Sequence, residues 1–130
     1  MFSGVIPALL TPFSSQDRVD TAALCELTEY LLSCGMNGLY LCGSTGEGLL
    51  MTEEERCLVV DTVIEQVRGR APVIVHVGAP ATSVSERLAC HAAQAGADAV
   101  ASVPPFYYAV GRTEIEAHYR RIAQAAGLPL

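Results

Sequence analysis

Leu39-Tyr40-Leu41-Cys42-Gly43-Ser44-Thr45-Gly46-Glu47-Gly48 is the stretch that decides the fold. A short apolar run of strand formers stops at Gly43, two hydroxyl residues follow, and Gly46 and Gly48 punctuate the turn. A strand, a tight hydroxyl-bearing turn and the lead-in to a helix present backbone N–H and side-chain O–H groups to a small anion. Glycine lets the backbone take φ > 0 and come close to a ligand. Ser44, Thr45 and Gly46 are therefore the candidate binding residues for a carboxylate or a phosphate. Glu47, at the end of a glycine turn, reads as an anchor that accepts backbone hydrogen bonds, not as a general base.

Strand and helix patterns alternate on both sides of this turn. Residues 5–10 form an apolar run closed by Thr11-Pro12, read as a first strand. Asp20 is placed as the N-cap of a helix carrying Leu24, Leu27 and Leu31 and stopped by Gly35. Residues 38–42 make the second strand. Thr52 and Glu55 have the spacing of a capping box, with Glu53 and Glu54 adding favourable charge to the first turn. Residues 73–77 are a third strand closed by Gly78, and Ser83 with Glu86 reads as a second capping box. Residues 99–103 are a fourth strand broken by Pro104-Pro105, and Thr113 with Glu116 reads as a third box for a helix ending at Gly127. Leu128-Pro129-Leu130 looks like the entrance to a fifth strand.

Such alternation calls for parallel strands joined by right-handed crossovers. Two architectures fit: a doubly wound sheet or part of a (β/α)8 barrel. No G-x-G-x-x-G follows the first strand, which counts against a dinucleotide fold. A complete TIM (β/α)8 barrel needs about 250 residues, so a 130-residue chain holds about half. The expected fold is α/β, with residues 1–130 as the first four βα units of a single truncated barrel domain.

Composition narrows the function classes. Hydrophobic residues make up 51% of the chain and mean hydropathy is +0.33, which suits buried parallel strands covered by helices. No apolar run approaches the roughly 18 residues of a membrane span, and the N-terminus lacks a signal-peptide pattern. A cytoplasmic location is expected. A net charge of -6 without a basic stripe argues against nucleic-acid binding. Five cysteines without a C-x-x-C pair read as reduced core thiols. His76, His91 and His118 lack metal-ligand spacing, so no metal site is expected. His76 reads as a satisfied core histidine and Arg120-Arg121 as a solvated helix face. All eight basic residues are arginine; the chain contains no lysine.

Gly43-Ser44-Thr45-Gly46-Glu47 and Pro105-Phe106-Tyr107-Tyr108 together resemble the pyruvate-dependent class I aldolases, the family of N-acetylneuraminate lyase and dihydrodipicolinate synthase. The resemblance covers the whole chain and includes the stretch from Gly4 to Phe13, the segment from Gly46 through Arg56, and His76-Val77-Gly78. It implies Schiff-base chemistry, in which a lysine amine condenses with a keto carbon and the iminium serves as electron sink. It further implies that Ser44 and Thr45 hold the pyruvate carboxylate. Ser44 and Tyr107 would share a catalytic proton relay, with Tyr107 reaching a neighbouring subunit of a homotetramer. Phe106 and Tyr108 read as interface or packing residues.

The family's lysine and second tyrosine correspond to positions beyond Leu130, so this polypeptide alone is expected to be inactive. No cofactor is implied; the partner is a small molecule, pyruvate or a keto-sugar acid. His76-Val77-Gly78 and the Pro-Phe-Tyr-Tyr run look more like the lyases, whereas the synthases usually carry Thr at the position of Ser44. A synthase and a 2-keto-3-deoxy-sugar-acid aldolase stay open as alternatives. So does a non-catalytic half-barrel that binds a carboxylate or a partner chain.

Overall fold

Three short parallel strands organise the chain, in a computed structural model that describes residues 2–130. They are β1 (Leu39–Leu41), β2 (Val73–His76) and β3 (Ala99–Ala101), in that spatial order. Helices α1 (Thr21–Ser33), α2 (Glu53–Val67), α3 (Thr82–Ala95) and α4 (Arg112–Ala126) alternate with them. Each helix packs on the next, α1 on α2, α2 on α3 and α3 on α4. This is the arrangement of a partial barrel.

Strand register sorts the side chains into two faces. Leu39 pairs with Val73, and Leu41, Val75 and Val100 align in one row. These five are buried, and with Val59, Val63, Leu88, Ala89, Ala92 and Ile122 they belong to one core between sheet and helices. The opposite face carries Tyr40, Ile74 and Ala99 in one row, with His76 beside Ala101 in the next.

The anticipated first strand is reduced to a single parallel bridge between Ala8 and Tyr40. Leu9 N–H donates to the Tyr40 carbonyl and Tyr40 N–H to that of Pro7, each at 2.9–3.0 Å. Pro7 has no N–H of its own, so the ladder cannot lengthen through it. The last anticipated strand ends at Ala101 instead of residue 103, because the Ser102 and Val103 backbone groups bond to side chains. Val100 N–H already donates to the Pro129 carbonyl at 2.9 Å, which aligns the chain end beside β3.

Helix starts separate local signals from tertiary ones. Asp20 caps α1 through Ala23 N–H, and Thr52 with Glu55 forms a complete capping box on α2. The other two anticipated boxes are absent. α3 begins at Thr82 with Ala81 as an N-cap lacking any side-chain bond, and α4 begins at Arg112 behind Gly111. Their acidic members are engaged elsewhere: Glu86 binds Arg121 on α4, and Glu116 binds Arg112 one turn away. Arg121 is thus an ion-pair partner as well as a solvated residue. Thr52→Ala is expected to lower unfolding free energy by about 1 kcal/mol in urea titration. Ser83→Ala is expected to change it by less than about 0.5 kcal/mol.

Candidate functional site

The turn after β1 is closed by backbone contact. Cys42 and Glu47 both have φ of 56°, the left-handed region that costs a non-glycine residue roughly 1–3 kcal/mol unless its surroundings hold it. Gly48 N–H donates to the Gly43 carbonyl and Glu47 N–H to the Ser44 carbonyl, each at 3.1 Å. A Cβ on Gly48 would lie 1.8 Å from the Cys42 carbonyl oxygen, so only glycine fits there. At Gly46 a Cβ would lie 2.7 Å from the Leu9 carbonyl, and the buried Thr11 hydroxyl donates to the Gly46 carbonyl at 2.7 Å. The segment before β1 therefore clamps the turn from below.

Closure leaves the hydroxyls and several N–H groups of the turn unspent. Ser44 and Thr45 are exposed, Gly46 is buried, and the turn lies at the C-terminal end of β1. Among the described residues, no protein acceptor takes the backbone N–H of Ser44, Thr45 or Gly46, and neither hydroxyl bonds to a protein partner. Two hydroxyls and adjacent free N–H groups on a rigid turn match the needs of a carboxylate. The N-terminus of α2 is closed to such an anion, because three acidic residues and the capping box occupy its first turn. The Glu47 carboxylate is exposed and accepts no backbone hydrogen bond among the described residues, contrary to the anchoring role anticipated for it. The residue anchors through its backbone.

Arg56 is the cation that the sequence motifs did not single out. It is 4% exposed; Nη1 donates to the Gly78 carbonyl at 3.0 Å and Nη2 to the His76 carbonyl at 2.6 Å. Helix α2 thereby grips the end of β2, beside the turn, and burial pushes the Arg56 pKa down. Its main-chain carbonyl faces the Cys42 sulfur, and burial pushes the Cys42 thiol up to about 11, so this thiol stays protonated. In sequence, an arginine one turn inside a helix resembles any solvated one. Its bonds across 20 and 22 residues leave no local signal.

On the opposite face, the Tyr40 ring lies against Gly43 and its centroid is 6.3 Å from that of His76. Burial raises the Tyr40 pKa. His76 is buried as expected but only partly satisfied, with Nε2 accepting from Val103 N–H and Nδ1 unpartnered. All five cysteines are free thiols. Among the described residues no three His, Cys, Asp or Glu side chains converge as a metal would require.

Tyr107 is not brought to the turn. It is 89% exposed, holds φ at 80°, and packs edge-on against Tyr108 with ring centroids 4.9 Å apart. Within one chain, no hydrogen bond joins Ser44 to Tyr107 among the described residues.

A parallel α/β layer with a hydroxyl turn at the carboxyl end of a strand defines part of a barrel whose ligands bind at that end. The dihydrodipicolinate synthetase family matches residues 1–130, and the chain belongs to it. N-acetylneuraminate lyase of Rhizobium meliloti strain 1021 is 41% identical over 127 residues, 98% of this chain and 42% of that protein. A catalytic lysine mutant of Ruminococcus gnavus sialic acid aldolase superposes with a TM-score of 0.94 at 32% identity, over 97% of this chain and 41% of the other. YagE, a prophage protein of the dihydrodipicolinic acid synthase family from E. coli K12 in complex with pyruvate, superposes with a TM-score of 0.96 at 30% identity, over 99% and 43%. The chain thus spans about two fifths of the length of the relatives it matches.

Arg56→Met removes the donors from two strand-end carbonyls while keeping bulk. It is expected to cost about 3 kcal/mol of unfolding free energy; a loss under about 1 kcal/mol in urea titration would contradict the bridging role.

Proposed function

We propose that residues 1–130 are the N-terminal βα units of a single (β/α)8-barrel domain in a Schiff-base, pyruvate-dependent lyase. Its activity would be cleavage of a keto-sugar acid to pyruvate and an aldose, as in an N-acetylneuraminate lyase. The observation that carries this reading is the Ser44-Thr45-Gly46 turn, whose hydroxyls and N–H groups are free of protein partners while its backbone is locked. Ser44 and Thr45 would bind the carboxylate through O–H and N–H donors, with Gly46 allowing close approach. The kinship to a family member solved with pyruvate supports that ligand class.

Catalysis would divide between this chain and residues it does not contain. The Ruminococcus gnavus relative has a catalytic lysine by its description, whereas no lysine occurs in these 130 residues. The amine that attacks the keto carbon and one relay tyrosine would follow Leu130 in a complete protein. Ser44 would pass protons with Tyr107, and the 89% exposure of Tyr107 suits a side chain that enters a neighbouring subunit. A cytoplasmic homotetramer without a cofactor completes the proposal. A synthase or 2-keto-3-deoxy-sugar-acid aldolase would use the same turn with a different aldehyde.

Absence of lysine favours a second reading, in which the chain is a non-catalytic half-barrel that binds a carboxylate or a partner chain. The coding sequence downstream of Leu130 separates the two. The lyase reading requires a tyrosine after a fifth strand and a lysine on a sixth; a continuation lacking both would dismiss it. For the 130-residue chain itself, borohydride reduction with pyruvate is expected to leave every side chain unmodified by mass spectrometry. A side-chain adduct would show that the chemistry does not need lysine.

A further inference from the structure

Two buried imidazoles hold one short segment. Ser102 and Val103 join β3 to the Pro104-Pro105-Phe106-Tyr107-Tyr108 loop. From β2, His76 Nε2 accepts the Val103 N–H at 3.3 Å. From α4, His118 places Nε2 3.4 Å from Ser102 Oγ and Nδ1 2.9 Å from Thr82 Oγ1 on α3. Tyr119 Oη donates to the Ser102 carbonyl at 3.3 Å. The two histidines are 5% and 2% exposed.

The network fixes both tautomers. Ser102 Oγ donates its single proton to the Val103 carbonyl at 2.8 Å, so toward His118 it accepts. His118 therefore carries its proton on Nε2, and Nδ1 takes one from the Thr82 hydroxyl. His76 needs a bare Nε2 to accept from Val103, which puts its proton on the unpartnered Nδ1. The His76 ring must be neutral for the set to close, because its Nε2 has a backbone N–H to accept, whereas both partners of His118 are hydroxyls that can accept from it.

We propose that His76 and His118 are positioning residues for the Tyr107 loop, and that the His76 grip lasts only while its imidazole is neutral. Tyr107 keeps a positive φ with its ring almost wholly exposed, a conformation that persists only where flanking structure imposes it. On its N-terminal side that structure is the Ser102–Val103 grip. Protonating His76 turns Nε2 into a donor facing another donor, the Val103 N–H. Protonating His118 keeps Nε2–H on Ser102 Oγ and turns Nδ1 into a donor toward Thr82, whose hydroxyl can rotate to accept, so the pH response runs through His76.

The charged surroundings set the direction. His76 faces Arg56 from α2, the Tyr40 ring from β1 and the Cys42 backbone; burial and then Arg56 push its pKa below 6.5, with the Cys42 backbone opposing. His118 faces Arg121 and the Tyr119 ring on its own helix and Glu86 on α3; burial pushes its pKa down, with Arg121 in the same sense and the Val103 backbone and Glu86 opposing. With the Val103 N–H withdrawn, His76 Nε2 is open to a proton, so the released state binds protons more readily than the held one, and holding weakens as pH falls. What the Ser44 turn binds has no bearing on this grip.

Site-resolved NMR of the 130-residue chain from about pH 7.5 to about pH 5, the range of imidazole titration, tests the proposal. The Val103 and Tyr107 amides are expected to shift together with the His76 ring. The protection factor of the Val103 amide should fall about tenfold per pH unit once one proton drives release. In H76Q/H118Q, the new amide oxygen at position 76 would accept from Val103 without titrating, so the loop should stay held across the range. The inference is overturned if Val103 protection is independent of pH in the wild type, or if the double variant keeps the same pH dependence. Should the double variant fail to fold, the wild-type midpoints decide: loop signals that do not follow the His76 ring also overturn it.

Discussion

A steric constraint at the end of the first strand sets the rest of this molecule: the Cys42 carbonyl and the Gly48 Cα approach so closely that no side chain fits between them. The turn from Cys42 to Gly48 folds back on its own strand end, and Thr11 ties it to the segment before the sheet. With the backbone satisfied internally, the Ser44 and Thr45 hydroxyls and neighbouring N–H groups are left without protein partners. A preorganised set of donors binds an anion without reordering at the moment of binding. The strands, helices and Arg56 bridge serve to keep that turn at one end of a parallel layer.

Charge is arranged to support the scaffold. Arg70, Arg87, Arg112 and Arg121 meet Glu29, Glu53, Glu116 and Glu86, and Arg56 meets two carbonyls. The exposed pairs contribute little each in water. Their geometric effect is larger: Arg70–Glu29 joins the end of α2 to α1, Arg87–Glu53 joins α3 to α2, and Arg121–Glu86 joins α4 to α3. The chain of helices is thus stitched in sequence order, as a row of βα units requires.

What could be read directly from residues was what forms locally. The Thr52–Glu55 box, the Asp20 cap and the glycine stops after α1, α2, α3 and α4 depend on neighbours a few positions away, and they stand in the structure. The Ser83–Glu86 and Thr113–Glu116 pairs have the same spacing and fail, because their glutamates are drawn to Arg121 and Arg112. Apolar character at residues 5–10 pointed to a strand, but Pro7 permits only one bridge. Of the site, Ser44, Thr45 and Gly46 were legible as a turn. The burial of Arg56 and the meeting of His76 and His118 at Ser102–Val103 were not, since those contacts span 16 to 36 residues. Periodicity carries no information at that range. Tyr107 was picked out by family likeness alone; it is exposed, holds a positive φ and is not brought to Ser44.

Amide chemical-shift mapping with pyruvate is the most direct measurement of the central claim, because it reads the turn residue by residue without requiring turnover. Titration of the 130-residue chain is expected to move the Ser44, Thr45 and Gly46 amides first and furthest, with Tyr40 and Gly43 following. Largest shifts at the opposite end of the sheet, in the hollow of about 290 Å³ lined by Arg70, Pro72 and Asp98, would contradict it.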